Sequence, residues 1–202
     1  MPRLSNVEQA NRVRAKGARN DCYYTPETLV DIHLAIIQPL TIPDKLILEP
    51  SRGLGAYYDK FLHYFPKNQY AWCEIADGRD FFEYEGEPEG ATPPSQPQPR
   101  PQAELPDIII TNPPFSLLSK FIQKSISLKP RIISFLLNAY AVTPCRIRDF
   151  NAAGYYLVKY HMTRVDKWFG VSCIIVLSRE ATSNIVSFDT TKHILEKSPV
   201  SV

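Results

Sequence analysis

The chain of 202 residues lacks any apolar run that approaches the length of a membrane span. Its first 20 residues are polar and basic, which is unlike a secretory signal. The four cysteines, Cys22, Cys73, Cys145 and Cys173, are widely separated and form no CxxC pair, a pattern that argues against a zinc site and for a reducing compartment. We therefore expect an intracellular protein, cytoplasmic or in the nucleoid or nucleus, that binds no metal and no membrane.

The composition predicts one domain with a long insertion. Hydrophobic residues make up 44% of the sequence, enough for one core but not comfortably for two. Residues 85–106 are rich in Pro, Glu, Gln and Ser, so they cannot bury enough apolar area to offset their ordering entropy and are expected to be disordered. We expect a basic N-terminal arm over residues 1–20, a single domain over residues 21–180 that contains this insertion, and a tail over residues 181–202.

Short apolar runs alternate with amphipathic segments along the rest of the chain. The apolar runs predict strands over residues 45–49, 70–75, 107–111, 131–137, 155–160 and 171–177. The amphipathic segments predict helices over residues 26–38, 56–64, 116–128 and 143–153, the first with Thr25 as its N-cap. This alternation predicts an α/β fold with a mostly parallel sheet, helices on both faces, and ligands at the carboxyl ends of the strands.

The most informative segment is Asn112-Pro113-Pro114-Phe115, which follows a predicted buried strand. Two adjacent prolines fix two φ angles, remove two N–H donors and forbid both helix and ladder pairing. The result is a rigid turn that offers the Asn112 side-chain oxygen and nearby main-chain carbonyls as acceptors beside an aromatic ring. A flat ring that carries an amine with two N–H donors, such as adenine, fits this arrangement. The alternative is an ordinary Pro-Pro turn that closes a strand.

A second segment joins a predicted strand to a predicted helix and reads Glu49-Pro50-Ser51-Arg52-Gly53-Leu54-Gly55. A strand, a glycine-containing turn and a helix in succession bring backbone amides close to a nucleotide-like ligand. Gly53 and Gly55 carry no Cβ, so they permit both a tight turn and a close approach by the ligand.

Together, the two segments resemble those of the amino-methyltransferase family, which uses S-adenosylmethionine to methylate exocyclic amines of nucleic-acid bases. The resemblance covers residues 20–178 and follows the γ-type motif order of DNA N6-adenine methyltransferases. It implies a Rossmann-like class I methyltransferase fold, in which Asn112, Pro113, Pro114 and Phe115 form the catalytic turn. Only residues 76–79 separate two of the motifs where many members have a full helix, so the sheet is expected to be trimmed there.

The resemblance also implies how the cofactor is held. The Tyr24-Thr25-Pro26 segment would contact its methionine end, Glu74 would accept hydrogen bonds from its ribose hydroxyls, and Asp80 with Phe81 would hold its adenine. The cofactor contacts implied in this way are Tyr24, Thr25, Pro26, Glu49, Pro50, Ser51, Gly53, Gly55, Glu74, Asp80 and Phe81.

The substrate side of the site is expected to combine aromatic and basic residues. Trp168 and Phe169 precede the last predicted strand, where the family has an aromatic ring that packs on the target base opposite Phe115; the alternative is that both rings cap the core. The net charge of +2 hides a basic N-terminal arm that contains Arg12, Arg14, Lys16 and Arg19. Such a stretch can attract a polyanion by counterion release, and a solvated tail is the alternative.

The sequence therefore predicts a methyltransferase acting on adenine N6 in nucleic acid, with DNA favoured over RNA. A second hypothesis is methylation of protein glutamine, because related folds use Asn-Pro-Pro-Tyr on a side-chain amide. A third hypothesis is a non-catalytic subunit that binds nucleic acid. The chain ends soon after its last predicted strand, so we expect no separate recognition domain. Target selection would then be loose, or be supplied by a partner protein or a second copy, or rest on the shape of a structured RNA.

Neutralising Arg12, Arg14, Lys16 and Arg19 tests whether the arm contacts phosphates. Each lost contact should flatten the dependence of log affinity on log salt concentration by about 0.7–0.9. Fluorescence anisotropy with labelled DNA across a salt series measures this slope. A slope unchanged by all four substitutions would mean that the arm is a solvated tail.

Overall fold

The computed structural model describes residues 24–86, 104–166 and 168–187. Its helices are α1 Glu27–Ile37, α2 Phe61–Tyr64, α3 Leu118–Ser127 and α4 Pro144–Ala152. Its strands are β1 Leu46–Glu49, β2 Gln69–Trp72, β3 Ile108–Thr111, β4 Ile132–Asn138, β5 Tyr156–Thr163 and β6 Ser172–Ser178. The predicted N-terminal arm with Arg12, Arg14, Lys16 and Arg19, most of the Pro-rich insertion and most of the tail lie outside the described residues.

The six strands form one sheet in the order β2-β1-β3-β4-β6-β5. Strands β1 to β4 are parallel, and β6 runs antiparallel to both of its neighbours. This confirms the prediction of a mostly parallel α/β sheet. In the described residues β2 is an edge strand, followed by a single 3₁₀ turn, Ile75–Asp77, so the sheet is trimmed where the sequence predicted it.

Helices cover both faces because the strands are buried on both sides. One apolar cluster joins α1 and α2 to one face of the sheet, and a second joins α3 and α4 to the other. The strand residues on the α1 side include Ile47, Ile108, Ile110 and Ile132, and those on the α3 side include Leu48, Ile109, Ile133 and Phe135. Successive side chains of a strand point to opposite faces, so these uninterrupted apolar runs fill two cores at once.

Two local predictions are wrong. Residue Pro26, not Thr25, is the N-cap of α1, and no side chain caps that helix end. The helix predicted from residue 56 starts later, as a 3₁₀ turn over Tyr58–Lys60 that leads into α2. The preceding Gly55 has a φ of 92°, which lies outside right-handed helix geometry, so the loop has to end before a helix can begin.

Two searches of the described residues bear on membrane and metal binding. None of their helices is long and apolar enough to cross a membrane. They contain no group of three or more His, Cys, Asp or Glu residues that could hold a metal ion. Cys73 and Cys173 are buried, and Cys145 is exposed.

Candidate active site

The two main sequence segments meet at the carboxyl edge of the sheet. Strand β1 ends at Glu49 and β3 ends at Thr111, and these two strands are neighbours in parallel register. The glycine loop after β1 and the Asn112 turn after β3 therefore leave the sheet side by side.

The Ser51 hydroxyl joins the two segments directly. Its Oγ lies 2.6 Å from the Thr111 Oγ1 and donates to the Asn112 carbonyl oxygen at 3.3 Å. Thr111 is fully buried, so the contact sits on the sheet rather than on a loose loop. A serine in the predicted cofactor loop thus positions the main chain of the predicted catalytic turn.

The Tyr24-Thr25-Pro26 segment reaches the same turn from a third direction. The Asn112 Nδ2 donates a hydrogen bond to the Thr25 Oγ1 at 3.1 Å. Thr25 is buried, whereas Tyr24 is largely exposed, and the Pro26 carbonyl accepts from the amides of Leu29 and Val30 in α1. The hydroxyl that was predicted to cap a helix instead holds the side chain of Asn112.

The prolines make the turn after Asn112 compact. Pro113 is buried, and the Pro114 carbonyl accepts from the Leu117 amide at 3.0 Å, which closes the 3₁₀ turn Phe115–Leu117. The Phe115 ring is half-buried at the start of this turn. The turn leads directly into α3, so both of its ends are anchored in regular structure.

The two glycines of the loop differ in what they face. A Cβ on Gly53 would meet no protein atom within 4 Å, and its φ of 54° lies in the left-handed region. A Cβ on Gly55 would lie 2.6 Å from a carboxylate oxygen of Asp59. The exposed Asp59 carboxylate can turn away, so it is the φ of 92° that favours glycine at position 55, whereas Gly53 borders open space that a ligand can occupy.

Two acidic residues that are predicted to hold the cofactor each accept hydrogen bonds from backbone amides. Glu74 accepts from the Gly53 amide at 2.7 Å through Oε2 and from the Ala76 amide at 3.2 Å through Oε1. Asp80 accepts from the Phe82 amide at 2.8 Å and begins a 3₁₀ turn. Because each carboxylate oxygen has two lone pairs, both groups can still accept hydroxyl hydrogen bonds from a ligand.

Phe81 lies deeper than its predicted role requires. Its side chain is buried, and its ring packs against Phe121 of α3 with centroids 5.1 Å apart. Its ring is thus part of the core under the loop that Asp80 begins.

Glu49 is a buried carboxyl group at the end of β1. Its side chain is 1% exposed, and its Oε2 accepts from the Tyr58 amide at 2.8 Å, which closes the loop between them. Burial raises the pKa of this carboxyl well above its usual value, and the hydrogen bond from Tyr58 opposes that shift. Pro50, next in the chain, is buried as well. Glu49 therefore acts on the shape of the loop.

The structure separates the two predicted substrate aromatics. Trp168 packs against a small cluster of Leu29, Leu136 and Ile174, whereas Phe169 is 44% exposed. The Phe169 ring lies 6.4 Å from the ring of Tyr140, centroid to centroid.

Sequence reasoning missed Tyr140, which is 77% exposed just beyond β4. Asn138 holds this pair of aromatics, since its side chain donates to the Phe169 carbonyl at 2.6 Å and accepts from the Tyr140 amide at 3.0 Å. The available signal was an Asn followed two residues later by Tyr at the carboxyl end of a predicted buried strand.

Comparison with known proteins supports the fold. No protein-family profile and no curated protein matches the chain. A 1,6-didemethyltoxoflavin-N1-methyltransferase from Burkholderia thailandensis, solved with bound 1,6-didemethyltoxoflavin and S-adenosylhomocysteine, superposes with a TM-score of 0.52 at 11% identity, covering 88% of this chain and 92% of that one. A methyltransferase from Pyrococcus furiosus gives 0.50 at 14% identity, covering 85% and 98%.

A human methyltransferase 10 domain containing protein is similar at the same level, with a TM-score of 0.50, 13% identity, and coverage of 79% of this chain and 85% of that one. At these identities the similarity is one of fold. The chain therefore has a Rossmann-like methyltransferase fold, as the sequence predicted.

The Glu49→Gln variant tests the buried carboxyl. A carboxyl whose folded-state pKa is raised contributes stability below its unfolded pKa and loses it as the pH rises through the folded pKa. From about pH 4.5 upward the wild-type unfolding free energy should fall with a component of up to about 1.4 kcal/mol per pH unit, which the variant lacks. Urea unfolding at several pH values measures this dependence, with Glu83→Gln at an exposed position as the control. If the unfolding free energies of wild type and Glu49→Gln change equally with pH, the pKa of Glu49 is not raised.

Alanine variants at residues 168 and 169 separate packing from substrate contact. Trp168→Ala should lower the unfolding free energy by about 3 kcal/mol, since its partly buried ring packs on the core. Phe169→Ala should leave stability nearly unchanged and weaken nucleic-acid binding by about 1–3 kcal/mol, the cost of losing one stacked base, while Phe169→Tyr stays close to wild type. Thermal unfolding and binding are measured on the same samples. A large stability loss in Phe169→Ala with normal binding would reverse the assignment.

Proposed function

We propose that this protein is an S-adenosylmethionine-dependent methyltransferase that methylates the exocyclic N6 amine of adenine in nucleic acid, with DNA as the favoured substrate. The observation that carries the proposal is the convergence of three segments on Asn112. Ser51 of the glycine loop holds its carbonyl, and Thr25 holds its side-chain amide. An ordinary Pro-Pro turn would not need its asparagine held from both sides.

The residues around the glycine loop fit the cofactor. The open space beside Gly53 admits a ligand against the backbone, Glu74 bonds to the Gly53 amide itself, and Glu74 and Asp80 offer carboxylate acceptors for ribose and adenine groups. The crystal structure from B. thailandensis contains S-adenosylhomocysteine in a protein of similar fold, which supports this choice of cofactor. When bound, S-adenosylmethionine supplies a methyl group on a positively charged sulfur, which an amine lone pair can attack.

The protein's own task is to make the amine reactive. Adenine N6 is a poor nucleophile because its lone pair is delocalised into the ring. The Asn112 Oδ1 and the Pro113 carbonyl would accept hydrogen bonds from its two N–H groups and favour a tetrahedral nitrogen. These acceptors also stabilise the positive charge that develops on that nitrogen, so positioning and electrostatics account for the catalysis.

The aromatic residues suit a base that has left its stack. Phe115 follows the acceptors directly. The exposed Phe169 lies beside Tyr140 and is bonded to Asn138 at the carboxyl end of β4, the neighbour of β3, so we assign one ring to each face of the base. In a duplex the target adenine has to be flipped out, and stacking between two rings offsets part of that cost.

Asn112→Ala tests the catalytic assignment. Because the side-chain oxygen acts chiefly in the transition state, turnover should fall by about a hundredfold or more while cofactor affinity stays near wild type. Asn112→Asp should keep part of the activity, since a carboxylate also accepts. Asn68→Ala is the matched control, because that side chain donates to the Ile42 and Lys45 carbonyls at the opposite edge of the sheet. Near-normal turnover by Asn112→Ala would remove the residue from the mechanism.

Incubation with methyl-labelled S-adenosylmethionine tests the substrate. The acceptors are duplex DNA, single-stranded DNA, RNA and a protein extract, each then digested and analysed for the methylated product. N6-methyladenine from DNA supports the proposal as stated. Label only in RNA would identify RNA as the substrate, and label in glutamine would identify a protein methyltransferase. Label in none of the acceptors would favour the hypothesis of a non-catalytic subunit.

A further inference from the structure

A line of polar side chains runs through the core between α1 and the sheet. His33 and Ser134 are fully buried, Tyr57 is 2% exposed and Thr25 is 9% exposed. Their neighbours on this face of the sheet form an apolar cluster that contains Val30, Leu34, Ile37 and Ile132. A buried polar group costs stability unless it is hydrogen-bonded, so this line needs an explanation.

The side chains form one continuous hydrogen-bonded path from Asn112 to the centre of the sheet. The Asn112 Nδ2 donates to the Thr25 Oγ1 at 3.1 Å. Burial raises the pKa of Tyr57 well above its usual value, and a hydrogen bond from the Thr25 side chain opposes that shift, which makes Thr25 the donor to the Tyr57 oxygen. The Tyr57 Oη lies 2.9 Å from the His33 Nδ1, and the His33 Nε2 lies 2.7 Å from the Ser134 Oγ. The path ends where the Ser134 Oγ donates to the Ile175 carbonyl at 2.9 Å.

The direction of every bond follows from that last acceptor. A carbonyl only accepts, so the single proton of Ser134 points to Ile175, and the Ser134 oxygen must accept from the His33 Nε2–H. A neutral imidazole has one N–H, so the His33 Nδ1 accepts from the Tyr57 hydroxyl.

The same logic continues outward to the candidate site. The Tyr57 oxygen accepts from the Thr25 hydroxyl, and the Thr25 oxygen therefore accepts from Asn112, which only the amide nitrogen can satisfy. Burial lowers the pKa of His33 to about 3, so the ring is neutral at ordinary pH and carries the single proton that this order requires.

We propose that Tyr57, His33 and Ser134, acting through Thr25, are positioning residues that hold the Asn112 amide with its NH₂ group towards Thr25 and its oxygen towards the substrate amine. The identity of the substrate amine rests on the proposed function. The direction of the hydrogen bonds along the path does not, because it is a property of the fold. A side-chain amide is nearly symmetric in shape, so packing alone does not choose between its two orientations. The wrong orientation would present N–H donors to an amine that itself donates.

The buried hydrogen bonds have a purpose in this proposal, because they fix the direction in which the Thr25 hydroxyl points its proton. A hydroxyl can turn its proton either way, so the Thr25 contact alone would permit both amide orientations. With Tyr57 taking the Thr25 proton, only the acceptor end of Thr25 faces Asn112. The backbone carbonyl of Ile175, deep in the antiparallel β4–β6 pair, thereby determines the polarity of a group at the sheet edge.

Tyr57→Phe tests the proposal, because it removes the hydroxyl and keeps the ring. Thr25 then loses its acceptor, so its hydroxyl can point at Asn112 and the Thr25 contact no longer selects one amide orientation. We expect kcat to fall about tenfold, with KM for DNA and affinity for S-adenosylmethionine unchanged. Tyr155→Phe is the matched control, since it also removes a buried tyrosine hydroxyl, one that donates to the Pro130 carbonyl at 2.7 Å far from the path. Equal kcat in the two variants would overturn the proposal.

Variants of Thr25 provide a second route if Tyr57→Phe folds poorly. Thr25→Ser keeps the hydroxyl and should lose much less kcat than Thr25→Val, which should lose as much as Tyr57→Phe. The double variant Tyr57→Phe/Thr25→Val should be no worse than Thr25→Val alone, because both changes break the same path. Additive losses would show that the two residues act separately and would refute the path.

Nuclear magnetic resonance separates this proposal from the proposed function. In wild-type protein, nitrogen-15 shifts of His33 should show a protonated Nε2 and an unprotonated Nδ1, and the Asn112 NH₂ pair should move in Tyr57→Phe but not in Tyr155→Phe. These signals require no substrate. If the wild type methylates no amine yet the signals behave in this way, the path holds and the proposed function fails. If the Nδ1 is the protonated atom, or the Asn112 pair does not move, the path fails whatever the activity.

Discussion

The pairing of β1 with β3 in parallel register is the constraint on which the candidate site depends. Parallel neighbours end at the same edge, so segments that lie about 60 residues apart in the sequence leave the sheet within hydrogen-bonding distance. The Ser51 contact to Thr111 and Asn112 requires this register. A shift of one residue would turn the alternating side chains of β3 to the wrong faces and separate the two loops.

Rigidity in the site comes from two different sources. The two prolines after Asn112 restrict the main chain through covalent geometry, without any contact. The side chain of Asn112 has no such restriction, and a hydrogen bond from its amide to Thr25 holds it instead. Glu49 and Glu74 act in a similar way on the glycine loop, because each accepts a backbone amide that the turn leaves outside regular structure.

Several site residues were predictable because their signal is local. Asn112 with its prolines and the glycines after β1 were recognisable from residue type and from position after an apolar run, and the structure places both at the sheet edge. Thr25 was misassigned because a threonine before a proline is a common helix start, and only the fold shows that its hydroxyl faces Asn112. His33 was overlooked because a single histidine among the apolar positions of α1 has no local signature.

The sequence by itself determined the succession of strands and helices along the chain and the mostly parallel sheet, since these follow from the hydrophobic periodicity. It also determined the stiff turn of acceptors, which follows from proline geometry. Tertiary structure alone decided which of two adjacent aromatics is exposed, that Phe81 packs in the core, and which way a buried path of hydrogen bonds runs. These outcomes depend on contacts between residues far apart in the chain. Ser134 lies 101 residues from His33 in the sequence, and a hydrogen bond across that separation cannot be predicted from a local pattern.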